Sequence, residues 1–384
     1  MNKKTSFLLL LILITTMMYV YPLDSTKKTW QSPKFIDTSI AYHDPILITS
    51  NLDFQNLAIS EGWTGSGVFS DPYVITGYQF DNTTTHAISI SDTSVYFLLS
   101  DCIINGSGTW TGIFLNQVSN GRILNVEIYN RSSGILLSNC ENVMIQLCDI
   151  HSNTAQGIEM KSSCSNVTIR ESDIEHNGDN GILSIDTDTL SIEDNDIVNS
   201  TSDAVRLSSS SSINIARNEI TYSGLDGVNL TSCEAINIDN CVIESNDGVG
   251  IAFRSSSDGL VFRNLIGMNS DYGVSLSSNS VNNSITWNSF VQNTGTSQCY
   301  DAGANNEFMF NFYSDWIAPD ANDDDIIDFP YAIDGAAENQ DPYPRASIDA
   351  DPTMPSMGLN PLLLGAFGAG IVIVIIILII KRKK

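Results

Sequence analysis

Short runs of alternating apolar and polar residues fill the middle of this sequence and restart at a fixed interval. The stretch from residue 134 reads GILLSNCENVMIQLCDIHSNTAQ, and the next begins with GIEMKSSCSNVTIR. Each unit holds apolar residues two apart, such as Ile135 with Leu137, and ends in a short third run, such as Ile150. A period of two is typical of strands with one buried face. Each unit therefore predicts three short strands separated by turns.

The opening residues of the units lie 22 to 24 residues apart. They are Gly112, Gly134, Gly157, Gly181, Ala204, Gly227, Gly250 and Gly273, and a weaker unit opens near Ala87. Periods in the twenties indicate stacked repeats. Leucine-rich repeats share this length, but their L-x-x-L-x-L run is absent here, and no helical period is sustained. The pattern predicts an all-β, single-stranded parallel β-helix with about nine or ten coils between residues 73 and 312.

Small residues recur where the strands of a coil would meet, and they predict inward-facing corners with stacked side chains. One column holds Cys140, Cys164, Ser210, Cys233, Ser256 and Asn279. A second holds Ser100, Cys148, Ser172, Asn195, Asn218, Cys241 and Asn288. Most of the seven cysteines are therefore expected to fill corners, and the odd count argues against a disulfide framework. The candidate disulfide is Cys140 with Cys164, because adjacent coils bring their Cα atoms near bridging distance.

Both ends of the chain are hydrophobic and predict an exported, anchored protein. Lys3 and Lys4 precede an apolar run, which predicts a signal peptide or N-terminal anchor at residues 1–22. Residues 362–380 are apolar without a charge and precede the basic tail 381–384, which predicts a single transmembrane helix with a cytoplasmic C-terminus. We therefore expect a cell-membrane protein with an extracellular β-helix.

The breaks in the repeat predict the remaining boundaries. Residues 23–72 form an N-terminal cap region, 73–312 the β-helix, 313–345 an acidic C-terminal cap loop and 346–361 a linker. Caps are expected because the first and last coils of a β-helix have open strand edges. Charge limits the partners: 44 acidic residues against 18 basic ones give a net charge of −26. Such a surface attracts cations and excludes nucleic acid as a partner.

Two flanking motifs carry a family resemblance. EGWTGSGVFSDPYVITGY at 61–78 precedes the repeats, and YSDWIAPDANDDDIIDFPYAIDG with DPYP follows them. The chain resembles NosD-type β-helix proteins, which belong to the carbohydrate-binding and sugar-hydrolase (CASH) β-helix group and include archaeal surface-anchored proteins. The resemblance covers residues 40–345 and implies right-handed coiling. The family takes its name from an accessory protein of copper-enzyme maturation, and most of its members have no assigned chemistry.

The acidic loop after the repeats is the sharpest candidate metal site. Oxygen ligands at alternate positions, with a backbone carbonyl among them, are how a short loop wraps Ca²⁺. The candidate ligands are Asp320, Asn322, Asp324, Ile326 (carbonyl) and Asp328. Two positions depart from a typical calcium loop, since Asp325 replaces glycine and Tyr331 replaces glutamate. The alternative is a solvated acidic turn. If calcium binds, we expect it to rigidify the cap.

A second acidic feature follows from the repeat register. The residue before the third-strand isoleucine is acidic in five successive units: Glu127, Asp149, Asp173, Asp196 and Glu219. These side chains are expected to point outward in a column about 5 Å apart, as a cation-binding acidic ladder or simply a solvated face. Arg170 and Arg217 are candidates to neutralise part of this charge.

These features favour a non-catalytic surface module that binds glycans or other surface proteins. Outward aromatic residues that could stack on sugar rings are Tyr129, Trp110, Tyr222, Tyr272 and Trp287. A polysaccharide lyase or glycoside hydrolase is an alternative, although no carboxylate pair stands out and we assign no catalytic residue. Copper handling is a further alternative. Copper is not favoured as a cofactor, because the chain has only four histidines, of which His151 and His176 fall on neighbouring coils.

Overall fold

The structure, a computed structural model, describes residues 40–81, 84–107 and 109–348. Two compact units divide the chain, Met1–Ile36 and Asp37–Lys384, and every described residue belongs to the second. The predicted signal peptide, transmembrane helix and basic tail lie outside the described residues, as does most of the linker. In the part that the structure describes, no helix is both long and apolar enough to cross a bilayer.

Three strands recur in each coil, and we call the three stacks that they build face 1, face 2 and face 3. Face 1 is β2 (Ile46–Ile48), β5 (Ile88–Thr93), β7 (Ile113–Val118), β9 (Ile135–Ser138), β12 (Ile158–Lys161), β15 (Ile182–Ile185), β18 (Val205–Ser208), β21 (Val228–Thr231), β24 (Ile251–Arg254), β27 (Val274–Leu276) and β30 (Cys299–Asp301). Face 2 is β3 (Tyr73–Thr76), β6 (Phe97–Asn105), β8 (Gly121–Tyr129), β10 (Glu141–Gln146), β13 (Cys164–Arg170), β16 (Thr187–Glu193), β19 (Ser211–Ala216), β22 (Glu234–Asp239), β25 (Ser257–Phe262), β28 (Ser284–Thr286) and β31 (Glu307–Met309). Face 3 is β1 (Ala41–Tyr42), β4 (Tyr78–Phe80), the second halves of β6 and β8, β11 (Asp149–His151), β14 (Asp173–Glu175), β17 (Asp196–Val198), β20 (Glu219–Thr221), β23 (Val242–Glu244), β26 (Leu265–Gly267), β29 (Ser289–Val291) and β32 (Phe312–Tyr313).

Equivalent strands of neighbouring coils pair in parallel on all three faces, so the chain winds as a parallel β-helix. Face 1 is an 11-stranded sheet, and faces 2 and 3 together form a 21-stranded sheet. Val205, for example, pairs with Val228, which is 23 residues later. The predicted all-β fold, with about ten coils of about 23 residues, is confirmed.

Alternation along each strand sends apolar side chains into the coil. In β9, Ile135 and Leu137 are fully buried, whereas their neighbours on the other side are partly exposed. The opening glycine is explained by close packing, because a Cβ atom on Gly134 would lie 2.6 Å from the carbonyl oxygen of Gly157 and would clash with Ile150. The repeat therefore restarts at a residue that must stay small where two coils touch.

Most corners turn on a residue in the left-handed conformation. In the coil that opens at Gly134, these residues are Asn139 (φ 51°), Leu147 (φ 55°) and Ser152 (φ 54°). Asn and Asp tolerate this region better than most residues, which explains part of the polar bias of the repeat. A small buried residue follows each of them.

The buried corner residues confirm both predicted columns with two changes. In the first column, Asn279 is exposed and Ser280 takes the inward place, because the turn here is one residue longer than the register assumed. In the second column, Ser100 lies in register with Gln146 through Leu124, and Cys102 takes the place in line with Cys148.

In the second column, Asn218 Oδ1 accepts hydrogen bonds from the backbone N–H and from Nδ2 of Asn195, both at 3.0 Å. Its own Nδ2 donates to the Ile192 carbonyl at 2.8 Å. The amides thus satisfy backbone groups that the corner leaves without strand partners.

A third inward column was not predicted. It lies between face 3 and face 1 and comprises Asn153, Asn177, Ser200, Ser223, Asn246, Asn269 and Asn293. The seven cysteines are buried as free thiols, so no disulfide joins Cys140 to Cys164.

Helix α1 (Asn51–Glu61) covers the first coil. The Ser50 side chain caps it by accepting a hydrogen bond from the Asp53 N–H, and Gly62 ends it in the left-handed conformation. Phe54 is fully buried and stacks on Tyr73 at a centroid distance of 5.1 Å. One helical face therefore closes the apolar interior at this end.

Residues 313–345 close the other end and carry a short antiparallel pair, β33 (Tyr331–Ala332) and β34 (Gln340–Asp341). The fully buried Asp341 accepts hydrogen bonds from the N–H and the Nδ2 of Asn311, both at 3.0 Å. The Asp341 carboxylate thus takes the place that a further asparagine would have in the second corner column. Tyr313 and Tyr331 stack at 3.7 Å over the last coil.

Candidate functional site

The five acids predicted as a ladder do form a column. Strand register pairs Glu127 with Asp149, Asp149 with Asp173, Asp173 with Asp196, and Asp196 with Glu219. They lie on the outer side of face 3, where successive coils are about 4.8 Å apart. The column is bounded by Ile103 before it and Val242 after it.

Packing like charges on a half-buried strand changes their titration. Burial raises the pKa of Asp173 to about 6, and the carboxylates of Asp196 and Asp149 add to the rise. Burial likewise raises the pKa of Asp149 and of Asp196. Asp149, Asp173 and Asp196 therefore lose their protons at a higher pH than free aspartate side chains do, as expected of aligned carboxylates with few counter-ions.

The two arginines suggested as counter-ions bond elsewhere. Arg217 donates to Asp194 at 2.8 Å and to Glu193 at 2.9 Å, on the corner and on face 2. Arg170 donates to the Gln146 side chain at 3.2 Å. Neither arginine has a described ion pair with the column, because Arg170 lies three residues before Asp173 on face 2, and Arg217 lies two residues before Glu219 at the corner.

The predicted calcium loop lies outside the coils and is largely exposed. The Asp320 carboxylate accepts hydrogen bonds from the N–H groups of Asp324 (3.3 Å) and Asp325 (2.9 Å). Asp328 Oδ2 accepts from the Ala321 N–H at 3.0 Å. Asp325 has φ 66°, so it adopts the conformation for which calcium loops use glycine at this place. Asp320, Asp324 and Asp328 thus each accept a hydrogen bond from a backbone N–H group of the loop itself.

A cluster on the outer side of face 1 was missed by the sequence reasoning. Asp203 and Asp226 occupy the same place in successive coils and are almost fully buried, with side chains 1% and 8% exposed. Asn229 Nδ2 lies between them, 3.1 Å from Asp203 Oδ2 and 3.3 Å from Asp226 Oδ2. Burial raises the pKa of Asp203.

Two arginines cover these acids. Arg254 donates to Asp226 Oδ2 at 2.5 Å, and an Arg206 guanidinium nitrogen lies 3.8 Å from Asp203 Oδ2. Both arginine side chains are about half exposed, at 48% and 49%. The sequence signal was present, because an acid stands directly before the opening residue in two successive units, with a basic or amide residue just after it.

The comparisons with known proteins agree with this architecture. The family model described as right handed beta helix region matches residues 46–197 and 180–315. The chain therefore belongs to the right-handed β-helix family, which confirms the predicted handedness. A NosD-type membership and an archaeal origin stay predictions. A search of curated proteins gave no match.

Several solved structures are similar at low identity. The A-module of mannuronan C-5 epimerase AlgE4 from Azotobacter vinelandii is 13% identical, with a TM-score of 0.45, covering 79% of this chain and 97% of that one. The alginate lyase of Paenibacillus sp. str. FPU-7 is 13% identical, with a TM-score of 0.37, covering 70% and 97%. The enzymatically active domain of bacteriophage CBA120 tailspike protein 2 is 10% identical, with a TM-score of 0.44, covering 62% and 43%. These likenesses concern the backbone path and assign no chemistry to this chain.

Proposed function

We propose that this protein is a cell-surface β-helix module that binds an anionic polysaccharide along face 1, without cleaving it. The observation that supports this is the pair of half-exposed arginines, Arg206 and Arg254, held in place by the buried acids Asp203 and Asp226.

The geometry suits carboxylate or sulfate groups on a chain that runs along the coils. A guanidinium presents a planar fork that matches a carboxylate in a bidentate way. Register places Arg206 beside Asn229 and Arg254 beside Thr231, so the arginines stand two coils apart, about 9.6 Å along the axis. The buried acids hold the guanidinium groups in place before a ligand binds, which lowers the conformational entropy that the arginine side chains lose on binding.

Calorimetry with the full chain and a panel of acidic and neutral oligosaccharides tests the proposal. We expect an acidic oligosaccharide to bind, and Arg206→Ala or Arg254→Ala to weaken it about tenfold each, a loss of about 1.4 kcal/mol. Lys161→Ala is the matched control, because Lys161 carries the same charge on face 1 but lies two coils before Arg206, outside the cluster of Asp203 and Asp226. It should change the affinity less than twofold.

Two results would contradict the proposal. One is binding that Lys161→Ala weakens as much as the arginine variants do. The other is no binding of any acidic oligosaccharide by the folded protein. A reducing-sugar and ultraviolet-absorbance assay runs beside it, and product release at catalytic rates would favour a lyase or hydrolase over a binding module.

The proposal also includes a location and an ion. The apolar segment 362–380 and its basic tail support a single-pass membrane anchor with the β-helix outside, which protease protection of intact cells would test. The alternate spacing of oxygen ligands at Asp320, Asn322 and Asp324, followed by Asp328, supports a structural Ca²⁺ in the C-terminal loop.

A further inference from the structure

Three metal-ligating side chains meet on the outer side of face 3, at the start of the acidic column. Glu127 lies on β8, and Asp149 and His151 lie on β11 in the next coil. Register pairs Glu127 with Asp149, and the side chains of Asp149 and His151 point to the same side because they are two residues apart. The β-helix thus brings together one imidazole and two carboxylates.

The distances between the donor atoms are close to those of a metal site. His151 Nε2 lies 3.6 Å from Glu127 Oε1 and 4.0 Å from Asp149 Oδ1. One ligand atom from each of the three residues lies within 4.8 Å of the other two. Ligands bound to Zn²⁺ at about 2.0–2.2 Å stand roughly 3–3.5 Å apart, so small side-chain rotations would close the site.

The surroundings of His151 set its orientation. The Tyr129 ring lies parallel to the imidazole, with centroids 5.0 Å apart and planes 5° apart. His151 Nδ1 lies 3.2 Å from the Ser152 hydroxyl, which leaves Nε2 facing the carboxylates. Groups that engage the second imidazole nitrogen and fix the ring plane are typical of metal-binding histidines.

An independent observation points to a missing partner. Asp149 Oδ1 is buried and accepts no hydrogen bond among the described residues, although it is one of the atoms that face His151. Buried carboxylate oxygens are normally satisfied, because burying an unpaired one is costly. A cation between these side chains would supply the partner.

We propose that Glu127, Asp149 and His151 bind a divalent transition metal ion, with Zn²⁺ as the preferred ion. An imidazole nitrogen with carboxylate oxygens suits zinc and its neighbours, whereas Ca²⁺ takes six or more oxygen ligands. Three protein ligands leave positions for water, and the side chains are between 24% and 33% exposed, so the ion enters directly from solvent. This site is separate from face 1 and does not depend on polysaccharide binding.

Titration calorimetry of the metal-free full chain with ZnCl₂, CaCl₂ and CuCl₂ tests the proposal. We expect one zinc site per chain that His151→Ala weakens at least 30-fold and Glu127→Gln or Asp149→Asn at least tenfold. His176→Ala is the matched control, since His176 lies one coil later beside Glu175 at 3.4 Å and should leave zinc affinity unchanged.

Co²⁺ substitution gives a second readout through its visible absorption bands, which report the coordination number and geometry of the bound ion. Bands lost in His151→Ala but kept in His176→Ala would support the site, provided that the circular dichroism of the variants matches the wild type. Zinc binding unchanged in His151→Ala would overturn the proposal. Calcium binding as tight as zinc would overturn the assigned ion, and copper alone at the same residues would replace zinc by copper.

Discussion

At the residue scale, small polar side chains at the corners form hydrogen bonds with backbone groups that have no partner in a neighbouring strand. A corner residue in the left-handed conformation removes its neighbours from the sheet ladder, so their N–H and carbonyl groups need other partners. Asn218 supplies three such hydrogen bonds at once, to Asn195 and Ile192. Its side chain is 2% exposed, so water cannot replace it.

Replacing Asn218 by alanine should therefore be costly. The change leaves the backbone N–H of Asn195 without its acceptor, removes one of the two acceptors of Asn195 Nδ2 and takes a donor from the Ile192 carbonyl. We expect a loss of about 2–4 kcal/mol in the free energy of unfolding. Urea denaturation measures it. Asn237→Ala is the control, because Asn237 faces outward from face 2 and should cost less than about 1 kcal/mol. Equal losses in both variants would contradict a special role for the buried corner column to which Asn218 belongs.

A second prediction concerns Asp173. Its folded pKa of about 6 lies above the ordinary value of 3.8, so its contribution to stability is complete below pH 3.8 and is lost as the pH rises through about 6. With chelator present, we expect wild-type stability to fall by about 1 kcal/mol more between pH 4 and pH 7 than that of Asp173→Asn, a value reduced for solvent screening. Thermal denaturation across this pH range measures the difference, and the exposed Asp247→Asn serves as control.

Some of these residue-level features could be predicted from the sequence, and others could not. The column of Glu127 to Glu219 was predicted because one residue type repeats at one place in five units. The Arg206 and Asp203 cluster was not, because its contacts join a strand, a loop and the neighbouring coil, and only two successive units share the acid. His151 was noticed, but its carboxylate partners lie one coil away or two residues away, and strand register alone reveals them as a set.

At the element scale, strands were easier to predict than the capping elements. Period-two alternation repeated over many units indicates stacked short strands, and the structure has strands at these places. Helix α1 was not foreseen, because only Phe54 and Ala58 are buried and they make no visible stripe. Its end signals, Ser50 and Gly62, are present in the sequence but occur equally in turns.

The acidic loop is the element for which an ion is predicted. If Ca²⁺ binds at Asp320, Asp324 and Asp328, the melting temperature should be about 5 °C higher in 1 mM calcium than in chelator. Asp324→Ala should abolish that difference. Asp323→Asn is the matched control, since Asp323 lies in the same loop with φ 57°, a conformation that asparagine tolerates, and it is not a predicted ligand. A melting temperature that ignores chelator in the wild type would mean that the loop is a solvated turn.

At the scale of the whole second unit, the coils are alike and only the ends differ. Each coil is stabilised by its two neighbours, so the first and last coils would present unpaired strand edges to other chains. Residues 313–345 meet the last edges at several places. The Asp301 N–H donates to the Asp334 carbonyl at 2.7 Å, and the Arg345 N–H donates to the Asn311 carbonyl at 2.9 Å.

Removing residues 313–345 should therefore change the association state of the protein while its coils stay folded. A chain that ends at residue 312 loses Tyr313 of β32 and exposes the edges of β30 and β31 together with Phe308. We expect it to form oligomers or aggregates that retain a β-type circular dichroism spectrum. The control is a chain that ends at residue 348, which keeps residues 313–345 and, like the shorter chain, lacks the predicted transmembrane helix; it should stay monomeric. Light scattering after size-exclusion chromatography distinguishes the two. If the shorter chain stays monomeric and equally stable, the last coil needs no cover, and the hydrogen bonds from residues 313–345 to its edges contribute little.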